Sequence, residues 1–379
     1  MLYSIDSDGF ANGLGKNRQT ALDIGRYNTL RHCSIVSLTS SWARALVGIA
    51  LLAMVGEVAF AEPAARRRWY TESPVATSAA GDFSDWEELS VRLAALEALG
   101  NLNGSVVVLD ADTGRALTIV NQKLALSDGY IPCSTIKLPV AVAALSEKVV
   151  VPAERVWFPG RWYMTVVEGL AISNNVIFEA LGRKLGFEVL ERYARWMGFG
   201  EKAGWQLLGE QVAPFPSQEY ERGVGLMSSF GYSIRVSPLQ MAAFTAALAN
   251  GGTLNYIQHP RSEDEYVNFE PRRKRWLPTG SWLAEVRKGM AESVRRGTGR
   301  RARTPNVKIW GKTGTCSVYE PNSGTRLGWF TSFGEGPDRR RLVVVVMLRG
   351  NSTISGPLAA DVAGRIYGRL AEGVESASD

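Results

Sequence analysis

Leu342-Val343-Val344-Val345-Val346-Met347-Leu348 carries no polar side chain. A short run of this kind, rich in β-branched residues, predicts a strand covered on both faces and therefore the centre of a sheet. Working outward, Leu327–Gly334 and Val307–Thr315 are predicted as two further strands. Near the other end, Ser105-Val106-Val107-Val108-Leu109-Asp110 reads as a strand, Asp112-Thr113-Gly114-Arg115 as a turn and Ala116–Val120 as the returning strand of a hairpin. Helical patterns lie between and around these strands. They cover Trp86–Leu99, with Leu89, Leu93, Leu96 and Leu99 at helical spacing, and Thr135–Val149, where Pro139 is expected to remove one backbone hydrogen bond. Two more fall within residues 166–197. Another begins at Ser237-Pro238 and stops at Asn250-Gly251-Gly252, and the last two are Trp282–Ser293 and Gly356–Leu370. Residues 62–82 read as a linker and residues 253–280, polar and Arg-rich, as an irregular loop. Strands at both ends with helices between predict an α/β fold with one sheet assembled from both termini.

The 379 residues include 45% hydrophobic and 21% charged side chains, ordinary for a globular core. The formal charge of +6 is spread over separate clusters at Arg66–Arg68, Arg272–Arg275, Arg300–Arg303 and Arg339–Arg341. None is interleaved with aromatics as a single-strand groove requires, so no nucleic-acid partner is expected. Solvated surface loops account for them, and an anionic cell envelope would attract them. Ala45–Gly56 is an apolar run that follows Arg44 and precedes Ala59-Phe60-Ala61. It is short for a spanning helix and reads as a secretory segment with a small-x-small cleavage site. Residues 1–61 are thus expected to be an export signal or membrane anchor, and the remainder an exported protein with membrane attachment through that segment as an option. Of the three cysteines, Cys133 and Cys316 lie beyond it and are a disulfide candidate in an oxidising compartment.

Three short motifs carry chemistry. Ser134-Thr135-Ile136-Lys137 reads S-x-x-K, Ser173-Asn174-Asn175 reads S-x-N, and Lys312-Thr313-Gly314-Thr315 reads K-T-G-T. Only His32 and His259 are available as imidazole bases, so lysine is the realistic base for a serine nucleophile. Ser134 and Lys137 are three apart and share a helix face, with Ser134 at the positive helix start. Lys137 must be neutral to accept a proton; burial and a neighbouring cation, with Lys312 as the candidate, would lower its pKa. Ser173 can relay a proton and Asn175 can hold the lysine and a substrate amide. Lys312, Thr313 and Thr315 suit a carboxylate, and Gly314 admits close backbone approach. The N–H groups of Ser134 and Thr315 would make an oxyanion hole. Each motif also has a plain structural reading: a capped helix, an N-cap at Ser173 or Asn174, a lysine in a turn. No metal site or cofactor is expected.

Over roughly residues 103–371 the chain resembles the transpeptidase domain of penicillin-binding proteins. Besides the three motifs in order, Val107-Leu109-Asp110 with Thr113-Gly114 resembles the opening hairpin of that family. Glu168–Val176 is similar to the stretch around its second motif. Tyr232-Ser233-Ile234, Ser237–Gln240 and Ala247–Gly252 resemble the segment before the third, and Trp329–Phe333 the strand after it. The resemblance implies an antiparallel sheet flanked by helices, plus an all-helical subdomain with the active site between them. Residues 62–102 would then be a linker and leading helix, and residues 372–379 a tail. It also implies an acyl-serine D,D-transpeptidase acting on D-Ala-D-Ala peptidoglycan stem peptides and captured covalently by β-lactam antibiotics. Catalysis would fall to Ser134, Lys137, Ser173 and Asn175, and substrate binding to Lys312, Thr313, Gly314 and Thr315. The family's large members carry a glycosyltransferase or pedestal domain upstream, for which the roughly 40 residues between Ala61 and Asn103 are too few.

Cys133 and Cys316 flank the first and third motifs as a cysteine pair does in certain class A carbapenem-hydrolysing β-lactamases, which implies a disulfide here. Adjacent to residues that must meet at one site, they would lie within bridging distance. The alternative is a pair of small buried residues that never bond. The glutamate–asparagine run (E-x-x-L-N) those β-lactamases use for deacylation is absent from this sequence. A class D-like β-lactamase with a carbamylated Lys137, and a non-catalytic β-lactam-sensing domain, are the competing functional readings. A Thr315→Val change is expected to slow acylation by carboxylate-bearing β-lactams with less effect on stability.

Overall fold

Along the chain, α1 (Leu89–Leu99) precedes the hairpin β1 (Gly104–Asp110) and β2 (Ala116–Val120), and a single turn, α2 (Gln122–Ala125), follows. A 3-10 turn, Cys133–Ile136, runs directly into α3 (Lys137–Ser146). A small ribbon, β3 (Val156–Phe158) and β4 (Trp162–Met164), leads to α4 (Val166–Ile172), α5 (Asn175–Leu185), α6 (Phe187–Trp196), α7 (Val224–Phe230) and α8 (Pro238–Asn250). A second ribbon, β5 (Thr253–Asn255) with β6 (Arg273–Trp276), encloses α9 (Glu263–Val267), and α10 (Ser281–Arg296) precedes the three long strands β7 (Lys308–Ser317), β8 (Arg326–Glu335) and β9 (Arg341–Gly350). The last element is α11 (Gly356–Ser378). The computed structural model describes residues 70–158, 162–277, 280–318, 323–336 and 339–378. The segment 1–61, expected to direct export, lies outside them. Among the described residues no helix is long and apolar enough to cross a membrane.

The sheet order is β2-β1-β9-β8-β7, and β1–β2, β1–β9, β8–β9 and β7–β8 all pair antiparallel. The apolar run of β9 therefore sits at the centre, as its composition predicts. Alternation divides its side chains between two cores. Val343, Val345 and Met347 join the core of α3 and α8, with Leu138, Val142, Leu239 and Phe244. Val344, Val346 and Leu348 face α1 and α11, with Val91, Ala95, Ala363 and Ile366. β7 is left as an edge.

Local signals set the helix ends. Ser237 caps α8 reciprocally with Gln240, Pro238 occupies its first turn, and Gly251 ends it in the left-handed conformation. Thr165 and Glu168 form the same reciprocal cap on α4.

Several expectations need correction. Residues 253–280 are not irregular: they hold β5, β6 and α9. The helix at Gly356 runs to Ser378 and takes in residues 372–378, which were expected as a tail. In α1 only the second half of the leucine stripe, Leu96 and Leu99, faces the core. Leu89 and Leu93 are 70% and 56% exposed, while Val91, Ala94, Ala95, Ala98 and Leu99 are buried. Small alanines let this helix approach the sheet and α11 closely. Pro139 is the third residue of α3, near the helix start where a proline is tolerated.

Candidate active site

Cys133 adopts a left-handed backbone, φ +52°, and the chain then tightens into the 3-10 turn holding Ser134. Thr135 secures the turn by donating its hydroxyl to Pro132 O at 2.6 Å. Trp329 of β8 donates its indole N–H to Ile131 O at 3.0 Å and ties the approach to the sheet. With three residues per 3-10 turn, the side chains of Ser134 and Lys137 eclipse. Lys137 Nζ lies 3.0 Å from Ser134 Oγ.

Ser173 ends α4 in the left-handed conformation, φ 59° and ψ 40°. That backbone turns its carbonyl to Lys137 Nζ at 2.8 Å, with its hydroxyl at 3.3 Å. Asn174 is the N-cap of α5, accepting from Ile177 N–H, so the structural reading of this motif holds for Asn174. Asn175 accepts from Lys137 Nζ through Oδ1 at 2.5 Å. Lys312 Nζ, from β7, donates to Ser173 Oγ at 2.8 Å and to its neighbour's carbonyl, Thr313 O, at 2.8 Å. Ser173 Oγ thus touches both lysines.

Lys137 and Lys312 are each fully buried. Burial lowers the pKa of Lys137 to about 7, against a small opposing pull from Glu179 on α5. Lys312 falls well below the ordinary lysine range, through burial first and the charge of Lys137 second. Burial is the leading cause at both lysines, and the charge of either one disfavours the charge of the other.

Thr313 and Thr315 are two apart on β7 and share a face, while Lys312 points to the other, towards Ser173. Thr313 Oγ1 lies 2.5 Å from Thr298 Oγ1, just past α10. Thr315 Oγ1 accepts from Gly356 N–H at 2.8 Å. Gly314 makes the approach of β7 to Ser134 feasible: a Cβ there would lie 3.0 Å from Pro132 O and 3.3 Å from Ser134 N. Cys133 and Cys316 form a disulfide with Cα atoms 5.5 Å apart, bolting the 3-10 turn to β7. The structure thus gathers every residue singled out from the motifs. His259 is elsewhere: its Nε2 is 3.1 Å from Glu87 Oε1, and Glu87 also accepts from Thr118 Oγ1 and Ile119 N–H of β2, the opposite sheet edge from β7. Motif reading missed Thr298, Gly356 and Trp329. Gly297-Thr298-Gly299, a threonine between two glycines after a helix, was the one local signal available.

The family model for the penicillin binding protein transpeptidase domain matches residues 104–368. The stage V sporulation protein D of Bacillus subtilis is 29% identical over 278 residues, covering 66% of this chain and 43% of the relative. The peptidoglycan D,D-transpeptidase MrdA of Haemophilus influenzae is 25% identical over 360 residues, covering 73% and 54%. The chain therefore spans about half the length of the curated relatives it matches. The transpeptidase domain of Burkholderia pseudomallei penicillin-binding protein 3 has the same fold, with a TM-score of 0.61 at 22% identity, covering 76% of this chain and 94% of that one. The D,D-transpeptidase domain of a peptidoglycan glycosyltransferase from Eggerthella lenta gives 0.58 at 20%, covering 75% and 81%.

Proposed function

This chain belongs to the penicillin-binding protein transpeptidase family, and from that premise we propose that it is an acyl-serine D,D-transpeptidase of peptidoglycan stem peptides. Ser134 Oγ attacks the carbonyl of the D-Ala-D-Ala bond while its proton passes to neutral Lys137 Nζ. The N–H groups of Ser134 and Thr315 hold the oxyanion. As the C–N bond breaks, Lys137 returns the proton through the Ser173 hydroxyl to the leaving D-alanine nitrogen. An acceptor amine then attacks the ester, loses its proton to Lys137, and Ser134 recovers its own. Water in place of the amine gives a carboxypeptidase. A β-lactam opens at the same step, but its amine stays tethered. Thr313 and Thr315 bind the substrate carboxylate, with Lys312 beneath them. Residues 1–61 serve to export the chain or anchor it to the membrane.

The observation that carries this reading is Lys137 Nζ, buried and 3.0 Å from Ser134 Oγ, with a pKa of about 7. The test is intact-mass spectrometry after benzylpenicillin, followed over hours. Wild type is expected to gain one stable penicilloyl mass and Ser134→Ala none. An adduct that clears within minutes would instead identify a β-lactamase. Labelling of the alanine variant would place the nucleophile elsewhere. Stable labelling with no turnover of D-Ala-D-Ala peptides would identify a sensing domain.

A further inference from the structure

We propose that Thr298 is a positioning residue that sets the hydroxyl of Thr313 to donate to the substrate carboxylate; this rests on the reading of Thr313 and Thr315 given above. The two motif threonines share one face of an edge strand, and each is backed by a partner from another element. Thr315 Oγ1 accepts from Gly356 N–H at 2.8 Å, so its own proton is free to point outward. Thr313 has no such amide. Its Oγ1 lies 2.5 Å from Thr298 Oγ1, and either hydroxyl can be the donor of that one hydrogen bond. When a carboxylate arrives it accepts a hydrogen bond from Thr313 O–H, which leaves Thr298 O–H as the donor to Thr313 Oγ1. The chain Thr298 O–H to Thr313 O–H to carboxylate is cooperative, each bond polarising the next.

Thr298 is fixed for this task. Its N–H donates to Ala171 O at 3.1 Å, and Gly299 N–H donates to Ser293 O at 3.0 Å. Gly297 fits against α4 only because it lacks a side chain: a Cβ there would fall 1.9 Å from Ala171 O. Ala171 is two residues before Ser173. The Gly297-Thr298-Gly299 elbow therefore joins the segment that turns Ser173 towards Lys137 to the strand that carries Thr313.

The test compares two acyl donors on the full chain: a D-alanyl thioester with a free carboxylate, and the same thioester as its methyl ester. Thr298→Val removes the hydroxyl at constant size. It is expected to slow acylation by the carboxylate form about tenfold, the loss of roughly one charge-assisted hydrogen bond. The ester rate should stay within about twofold. Thr298→Ser should restore the carboxylate preference. In a double-mutant cycle, adding Thr298→Val to Thr313→Val should cost nothing more, because Thr298 acts only through Thr313. Equal slowing of both thioesters, additive effects in the cycle, or an unchanged preference would each overturn the proposal. If the valine variant does not fold, Thr298→Ala and Thr298→Ser give the same comparison. Failure of the parent reading is seen separately, as wild type that shows no preference for the carboxylate form at all.

Discussion

At the scale of single residues, Lys137 is suited to the role of base proposed above because it is buried. With its pKa lowered to about 7 by burial, the acylation rate at Ser134 should rise with pH to a plateau, with a midpoint about 7. Stopped-flow labelling with a β-lactam across pH 5.5 to 9 would check this, and a flat profile would remove Lys137 from the role. Stability moves the same way. The unfolded lysine titrates near 10.5, so between about 7 and 10.5 the unfolded chain holds more protons, and stability rises with pH across that window. Thr315→Val tests a different point. Because Thr315 Oγ1 accepts from Gly356 N–H at the start of α11, the valine should cost about 1 kcal/mol of stability besides slowing carboxylate-bearing β-lactams. Urea denaturation would show it; an unchanged midpoint means the amide finds another acceptor. This departs from the small stability effect expected from sequence, which could not supply Gly356 as a partner 41 residues away. Ser134 and Lys137 were legible because their spacing alone makes them neighbours. Their burial was not, since it depends on α5 and β7. Thr298 was illegible for the same reason: its meaning comes from Thr313 across a gap of 15 residues.

At the scale of elements, the edge strand β7 is the part that must be held to a few tenths of an ångström against the turn before α3. Gly314→Ala would force Pro132 O and Ser134 N to yield. The variant should fold with a thermal midpoint close to wild type and acylate at least about tenfold more slowly, consistent with a small displacement of an oxyanion donor. Comparing melting curves with labelling rates would separate the two effects, and normal labelling would show that the turn relaxes freely. The strands read well from sequence. Val343–Val346 has one composition on both faces, and only a central strand tolerates that. Helix α1 read in part: Leu96 and Leu99 pack on the core as their spacing predicts, whereas Leu89 and Leu93 are exposed and Val91 and the alanines complete the buried face. The ribbon β5–β6 was hidden because its second strand is Arg273-Lys274-Arg275-Trp276, charged and largely solvent-facing, with none of the usual strand composition.

For the whole molecule, the Cys133–Cys316 bridge closes a span of 183 residues. Peptide mapping of the alkylated, denatured and non-reduced protein should leave both cysteines unmodified; two alkylated residues would refute the bridge. Cys316→Ser should lower stability by up to about 5 kcal/mol on the chain-entropy account, measured as a shift in the urea midpoint. The sheet carries a further consequence, for biogenesis. β1 pairs with β9 from Gly104 opposite Leu348 to Asp110 opposite Leu342. At a ribosomal pace of about 5–20 residues per second, the roughly 240 intervening residues take on the order of 12 to 50 s to appear. Through that interval β1 lacks its β9 partner, and contacts so distant along the chain form slowly. The five-stranded sheet cannot be completed until β9 has been made. A stop codon shortly before Leu342 would remove the strand that joins the first hairpin to β8 and β7.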